Sequence, residues 1–192
     1  MNMKNIAIFA SGNGSNAETI IRYFENRSDV RVALILSNNK NAKVLDRASV
    51  FNIEAVTFSK DEFYKSVEIL KILKQHKITL IVLAGFLWLI PDFLLNEFPD
   101  RIINIHPALL PMFGGKGMFG MHVHTSVINN GESMSGITIH FVNEVYDEGK
   151  IIYQATCPVE PGETPETLAQ KIHVLEHKFF PETIDKVLST IL

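Results

Sequence analysis

The run Arg101-Ile-Ile-Asn-Ile-His-Pro-Ala-Leu-Leu-Pro111 sets two polar side chains, Asn104 and His106, into a segment that otherwise has the pattern of a buried strand. Strand side chains alternate with period two, so the pair shares one face. A buried amide or imidazole without a partner costs a few kcal/mol. The two are therefore either satisfied core groups at a capped turn or members of a site. As a site they suit acyl transfer: Asn104 offers amide donors to a developing oxyanion, and His106 a proton donor or acceptor near neutral pH. An acid must then fix the tautomer and charge of the histidine, and Asp147, in Val-Tyr-Asp-Glu-Gly-Lys150 between two apolar strands, is the best candidate. Pro107 gives the chain a stiff, extended exit from His106.

A second cluster is Ser11-Gly-Asn-Gly-Ser-Asn16, which follows an apolar run and opens a helical pattern. Backbone N–H groups and the helix dipole at such a place hold a phosphate. Gly12 to Ala17 also satisfies the dinucleotide pattern G-x-G-x-x-A, but the acid that would bind a ribose at the end of the second strand is missing, since that stretch reads Leu36-Ser-Asn-Asn39. Phosphate binding without a dinucleotide is the preferred reading; a turn in which the glycines serve only geometry is the alternative. Ser15 or Asn16 can also cap the helix, which is compatible with anion binding.

These residues need a scaffold. Apolar runs at Asn5–Ala10, Arg31–Ser37, Glu54–Phe58 and Thr79–Ala84 alternate with helical patterns at Asn16–Glu25, Lys43–Phe51 and Asp61–His76. Strands apolar on both faces predict a parallel sheet covered by helices on both sides. A short segment around Pro91–Glu97 precedes the Arg101–Ile105 strand, a glycine-rich loop and a helix near His124–Asn129. Strands Gly136–Val142 and Lys150–Val159 are joined by a connection short enough for an antiparallel hairpin. The last helix starts at Thr164 or Pro165 and should kink or break at Pro181. The expected fold is a doubly wound α/β unit with a mostly parallel, mixed sheet. It forms one domain over 1–192, divided near residue 100 into a nucleotide-binding-like half, 1–100, and a second half, 101–192, that share one sheet. In such sheets the working cleft lies beyond the carboxyl ends of the strands, where Asn104 and His106 fall.

The 192 residues carry a formal net charge of −3, which argues against a basic face for nucleic acid or an anionic membrane. Cys157 is the single cysteine, so no internal disulfide forms, and a reducing compartment, the cytoplasm, is expected. The N-terminal apolar run is too short for a signal peptide or membrane anchor. The partner is expected to be a small molecule.

With SGNGSN, LAGF (Leu83–Phe86), NIHPALLP, HFV followed by YDEG, IIYQATCPV and LEHKFFP in order, the chain resembles the phosphoribosylglycinamide formyltransferases, folate-dependent enzymes of purine synthesis, over nearly its whole length. The resemblance implies a Rossmann-like formyltransferase domain. It implies transfer of a formyl group from 10-formyltetrahydrofolate to the amine of glycinamide ribonucleotide, without a metal, by a monomer or a homodimer. Asn104, His106 and Asp147 take the places of the catalytic trio, with His106 protonated and Asp147 relaying a proton through an ordered water. Gly14, Ser15 and Asn16 match the phosphate loop, and Glu176 matches the glutamate that holds the ribose hydroxyls. Leu87, Trp88, Leu89 and Ile90 fall where relatives contact the pterin, as do Asn143, Glu144, Val145 and Tyr146; Asn104 also touches the folate, and Lys60 supplies a basic contact to it. Trp88 stands where many relatives carry arginine. His124 matches a histidine flanking the active site, while His76, His140 and His173 read as ordinary surface or strand residues. The loop Phe113–His124 is longer than in familiar relatives and reads as a mobile flap; its Lys116 is placed either to meet a phosphate or carboxylate or to stay in solvent.

Hydrolysis of the formyl folate is the nearest alternative in the same fold, but hydrolases usually add an N-terminal domain for which there is no room before Asn5. Enzymes that formylate charged tRNA carry a further C-terminal domain and a basic face. A nicotinamide-dependent oxidoreductase lacks its ribose acid here, and a non-catalytic phosphate binder would leave the trio without a shared task.

Overall fold

The computed structural model describes residues 3–191; Met1, Asn2 and Leu192, the ends of the expected 1–192 unit, lie outside the described residues. A seven-stranded sheet runs through the molecule in the order β3-β2-β1-β4-β5-β6-β7. Strands β1 (Lys4–Phe9), β2 (Val30–Ser37), β3 (Glu54–Thr57), β4 (Ile78–Leu83) and β5 (Ile102–His106) are parallel, whereas β6 (Met134–Phe141) and β7 (Ile151–Pro158) add antiparallel at one side. The mixed sheet is the one expected. Its strand order reverses between β1 and β4, so the crevice beyond their carboxyl ends is the ligand position that this topology dictates.

Two hydrophobic cores flank the sheet. On one face Ile6, Ile8, Leu80, Val82 and Ile103 pack under α1 (Ser15–Phe24), α2 (Val44–Val50) and α7 (Pro165–Thr190). On the other, Phe9, Leu34, Leu36, Ile81 and Leu83 meet Phe63, Ile69, Leu73 and Leu94. Each such side chain, fully buried, contributes roughly 1.5–3 kcal/mol. Alternating residues of one strand feed opposite cores, which is why β1 and β4 are apolar throughout rather than alternating.

Two helical expectations change. The pattern Asp61–His76 is two helices, α3 (Lys60–Lys65) and α4 (Glu68–Gln75), separated by Ser66 in an extended conformation, φ −123°, ψ 151°. In one continuous helix Phe63 and Ile69 would point about 120° apart; the break lets both enter the same core. Helix α7, by contrast, continues through Pro181. Proline withholds one helical hydrogen bond, but Phe180, Pro181, Ile184, Val187 and Leu188 are buried against the sheet, and that packing carries the helix on. Helix α5 (Asp92–Glu97) lies between β4 and β5, and α6 (Met121–Asn129) follows the glycine-rich loop and packs on α7. Among the described residues no helix is long and apolar enough to cross a membrane.

Candidate active site

Beyond the carboxyl ends of β1, β4 and β5 lies a cavity of about 690 Å³, lined by the glycine loop, residues 83–90, the β5 end, residues 115–120, and parts of the 142–147 loop and α7. Asn104 pairs in register with His140 of β6, and His106 with Thr138. This pairing puts a second histidine beside Asn104. The loop after β6 returns Asp147 to the same point because Gly149 lies against the Phe141 carbonyl, where a side chain would collide. Asp147 itself adopts φ 60°, a conformation that aspartate tolerates better than most residues and that recurs at functional sites.

The four groups form one network. His106 is 3 % exposed; its Nε2 donates to the Phe113 carbonyl at 2.8 Å, and its Nδ1 lies 3.5 Å from Asp147 Oδ2. That same Oδ2 accepts from the Gly115 N–H at 2.9 Å. Asn104 donates from Nδ2 to His140 Nε2 at 3.1 Å and faces Asp147 Oδ1 at 3.5 Å. His140, 2 % exposed, completes the pattern by donating from Nδ1 to the Phe141 carbonyl at 2.8 Å, which leaves its Nε2 as the acceptor for Asn104 in the neutral tautomer.

Charge follows from these contacts. Burial lowers the pKa of His106 below the ordinary histidine value, outweighing the upward pull of Asp147 and of the Phe113 carbonyl. In the ligand-free protein that shift favours the neutral imidazole of His106. Burial alone would raise Asp147, but the neighbouring imidazoles, His140 at 3.6 Å and His106 at 3.5 Å, together with the Gly115 N–H hold its carboxyl below the ordinary range.

At the other end of the cavity Gly14 is the N-cap of α1, at φ 76°, and no side chain caps the helix. Neither Ser15 nor Asn16 takes the capping role that was one expectation. The first-turn N–H groups of α1 are thus left open to an anion. Asn16 instead donates to Glu176 Oε2 at 3.0 Å, and its own Oδ1 is buried without a partner. Glu176 is 7 % exposed, and burial raises its pKa despite Asn16 and His173.

Leu87, Trp88, Leu89, Ile90, Val145 and Tyr146 all line the cavity. Trp88 rests on Phe58, Phe63, Tyr64 and Phe86, and the Tyr64 hydroxyl donates to the Leu89 carbonyl at 3.0 Å. Lys60, Asn143 and Glu144 do not belong to the lining. Lys60 begins α3 on the exposed surface, Glu144 is exposed, and the Asn143 side chain instead accepts the Val145 N–H at 3.1 Å. His124, His140, His173 and Lys116 do line it; His140 is a strand residue of β6 and His173 an exposed one on α7, as read from the sequence, and both also face the cavity. The sequence shows His140 only as a polar residue in an apolar strand; the pairing of β5 with the adjacent β6, which sets it opposite Asn104, gives it meaning. Among the described residues no group of three or more His, Cys, Asp or Glu side chains could hold a metal ion.

Fold and site together define a group transferase of the formyl transferase family, whose model matches residues 4–184; the chain belongs to that family. Within it, the chain is 40 % identical over 191 residues to the phosphoribosylglycinamide formyltransferase of Bacillus subtilis, covering 97 % of this chain and 95 % of that protein. It is 40 % identical over 190 residues to the chloroplastic phosphoribosylglycinamide formyltransferase of Arabidopsis thaliana, covering 96 % of this chain and spanning 65 % of that protein's length. The crystal structure of phosphoribosylglycinamide formyltransferase from Bacillus halodurans superposes with a TM-score of 0.87 at 38 % identity, covering 97 % of this chain and 96 % of the other.

Proposed function

We propose that the chain transfers the formyl group of 10-formyltetrahydrofolate to the amine of glycinamide ribonucleotide in purine biosynthesis. The observation that carries this reading is the convergence of Asn104, His106 and Asp147 in one cavity, between a glycine loop suited to a phosphate and the apolar 85–90 loop suited to a pterin.

The amine attacks the formyl carbon, and negative charge grows on the formyl oxygen. The Asn104 N–H that faces Asp147 at 3.5 Å is loosely held and turns to that oxygen; one such donor is worth about 3–4 kcal/mol. His106 works from Nδ1, since Nε2 is committed to Phe113. Neutral Nδ1 takes the proton that the amine must lose, and Asp147 stabilises the imidazolium so formed. The proton then passes to the departing folate nitrogen, directly or through a water held by Asp147. Gly14, Ser15 and Asn16 hold the phosphate, Glu176 the ribose hydroxyls, and residues 87–90 with 145–146 the pterin.

Hydrolysis of the formyl folate is the second reading, because the same trio serves water as acceptor. Mixing the protein with 10-formyltetrahydrofolate, with and without glycinamide ribonucleotide, separates the two. The transferase releases the formyl group only when the ribonucleotide is present; release that ignores it would establish the hydrolase instead.

A further inference from the structure

The glycine loop is held by α2, through Val44 and Arg47, neither of which lines the cavity. Val44 N–H donates to the Gly12 carbonyl at 3.2 Å. Arg47 Nε donates to the Asn13 carbonyl at 2.8 Å, and its Nη2 to Asn13 Oδ1 at 3.0 Å. The third nitrogen of the same guanidinium pairs with Glu18, in the first turn of α1. Glu18 also takes Arg22 at 2.8 Å, and the Arg22 guanidinium lies 5.0 Å from the centre of the Phe51 ring just after α2. Asn13 lines the cavity; Arg47 does not.

A trans peptide points its C=O and its N–H in opposite directions. Pinning the Asn13 carbonyl toward α2 therefore turns the Gly14 N–H the other way, and pinning the Gly12 carbonyl does the same for the Asn13 N–H. Gly12 to Asn16 line the cavity whereas Val44 and Arg47 do not, so the direction away from α2 is taken as the cavity side. Arg47 can do this as no other cation can, because its planar fork addresses two acceptors of one residue at once while a third nitrogen reaches a carboxylate. That third contact has a second effect. Glu18 stands one turn into α1, close enough to oppose an anion at the helix N-terminus, and Arg47 with Arg22 offsets its charge.

We infer that Arg47 is a positioning residue for phosphate recognition: it orients the Asn13–Gly14 peptide so that the loop's N–H groups face the ribonucleotide phosphate, and it neutralises Glu18 beside them. This rests on the reading of Gly14–Asn16 as the phosphate loop.

The test is steady-state kinetics of the full chain, varying each substrate at saturating levels of the other, with inorganic phosphate as a competitor of the ribonucleotide. Arg47→Met should raise the ribonucleotide KM and the phosphate inhibition constant roughly tenfold, corresponding to about 1.4 kcal/mol. The kcat and the formyl folate KM should stay within about twofold. Arg47→Lys should remain impaired several-fold, because a single ammonium cannot reproduce the fork. A ribonucleotide KM within twofold of the parent in Arg47→Met would overturn the inference, as would an equal rise in the folate KM or full rescue by Arg47→Lys. If Arg47→Met does not fold, Asn13→Ala decides: it keeps the carbonyl contact and loses only Nη2, so a two- to threefold rise is expected and none refutes the role. Gly14→Val separates this inference from the reading beneath it. An unchanged ribonucleotide KM in that variant removes the phosphate loop itself, whereas a raised one beside an unaffected Arg47→Met removes only the role of Arg47.

Discussion

His106 Nδ1 lies 3.5 Å from Asp147 Oδ2 while the opposite ring nitrogen is tied to the Phe113 carbonyl. With His106 neutral and Asp147 ionised, a lone pair and a carboxylate face each other with no proton between them. The pair is thus poised to accept one, which is what an amine must give up as it becomes an amide. Burial keeps the resting imidazole neutral, and Asp147 makes the charged form accessible once the proton arrives.

Replacing His106 by Ala or Asp147 by Asn should lower kcat by roughly 10²–10³ or more while the ribonucleotide still binds, since neither group touches the phosphate loop. Isothermal titration with the ribonucleotide, run beside turnover, checks this; near-normal kcat in either variant would remove its assigned role. The parent enzyme should also lose kcat/KM as pH falls through the lowered His106 value, below the ordinary 6.5 or so, because a protonated Nδ1 cannot accept the amine proton.

His140 should prove necessary without meeting substrate. His140→Phe leaves the Asn104 amide without its Nε2 acceptor, and a loosened donor should cost about 10- to 100-fold in kcat with the ribonucleotide KM nearly unchanged. A variant with parental kcat would show that Asn104 is held by Asp147 alone.

Gly14→Val meets two obstacles. The residue adopts φ 76°, and an added Cβ would lie 2.6 Å from Val44 Cγ2. Because α2 is itself fastened to the loop, the strain should displace the loop and weaken ribonucleotide binding at least tenfold, leaving the folate KM close to parental. Competition by inorganic phosphate gives the readout.

Acid stability should depend on His124. The side chain is 3 % exposed with its Nδ1 unpartnered, and burial, with His173 and His106 nearby, pulls its pKa down to about 4. Between about 6.5 and 4 the unfolded chain binds a proton that the folded one does not, so stability is full at neutral pH and falls as the pH drops through that window, by an amount on the order of 3 kcal/mol. Urea midpoints at pH 7 and 4.5 should therefore converge more in His124→Phe than in the parent. Equal pH dependence in the two would show that His124 titrates normally.

Much of the architecture was legible because it is local. Runs apolar on both faces announced β1, β2 and β4, and the helical periods between them required crossovers. The helix break at Ser66 was not legible: the pattern through Asp61–His76 is locally consistent with one helix, and only the shared demand of Phe63 and Ile69 for one core splits it. The converse holds at Pro181, where local stereochemistry argues for a break and burial of the flanking residues overrides it.

Within the site, period two in Arg101–His106 put Asn104 and His106 on one face, and the acid between two apolar strands lies beside His106 as read from the sequence. Those are properties of a few adjacent residues. Which histidine holds Asn104, which ring nitrogen of His106 is free, and what fastens the glycine loop depend on contacts between residues far apart in the chain: Asn104 with His140, His106 with Asp147, Asn13 with Arg47. Sequence pattern carries the period of an element and its apolar face. Register between strands, and the direction a peptide's N–H points, are set only when the whole sheet closes and its helices dock.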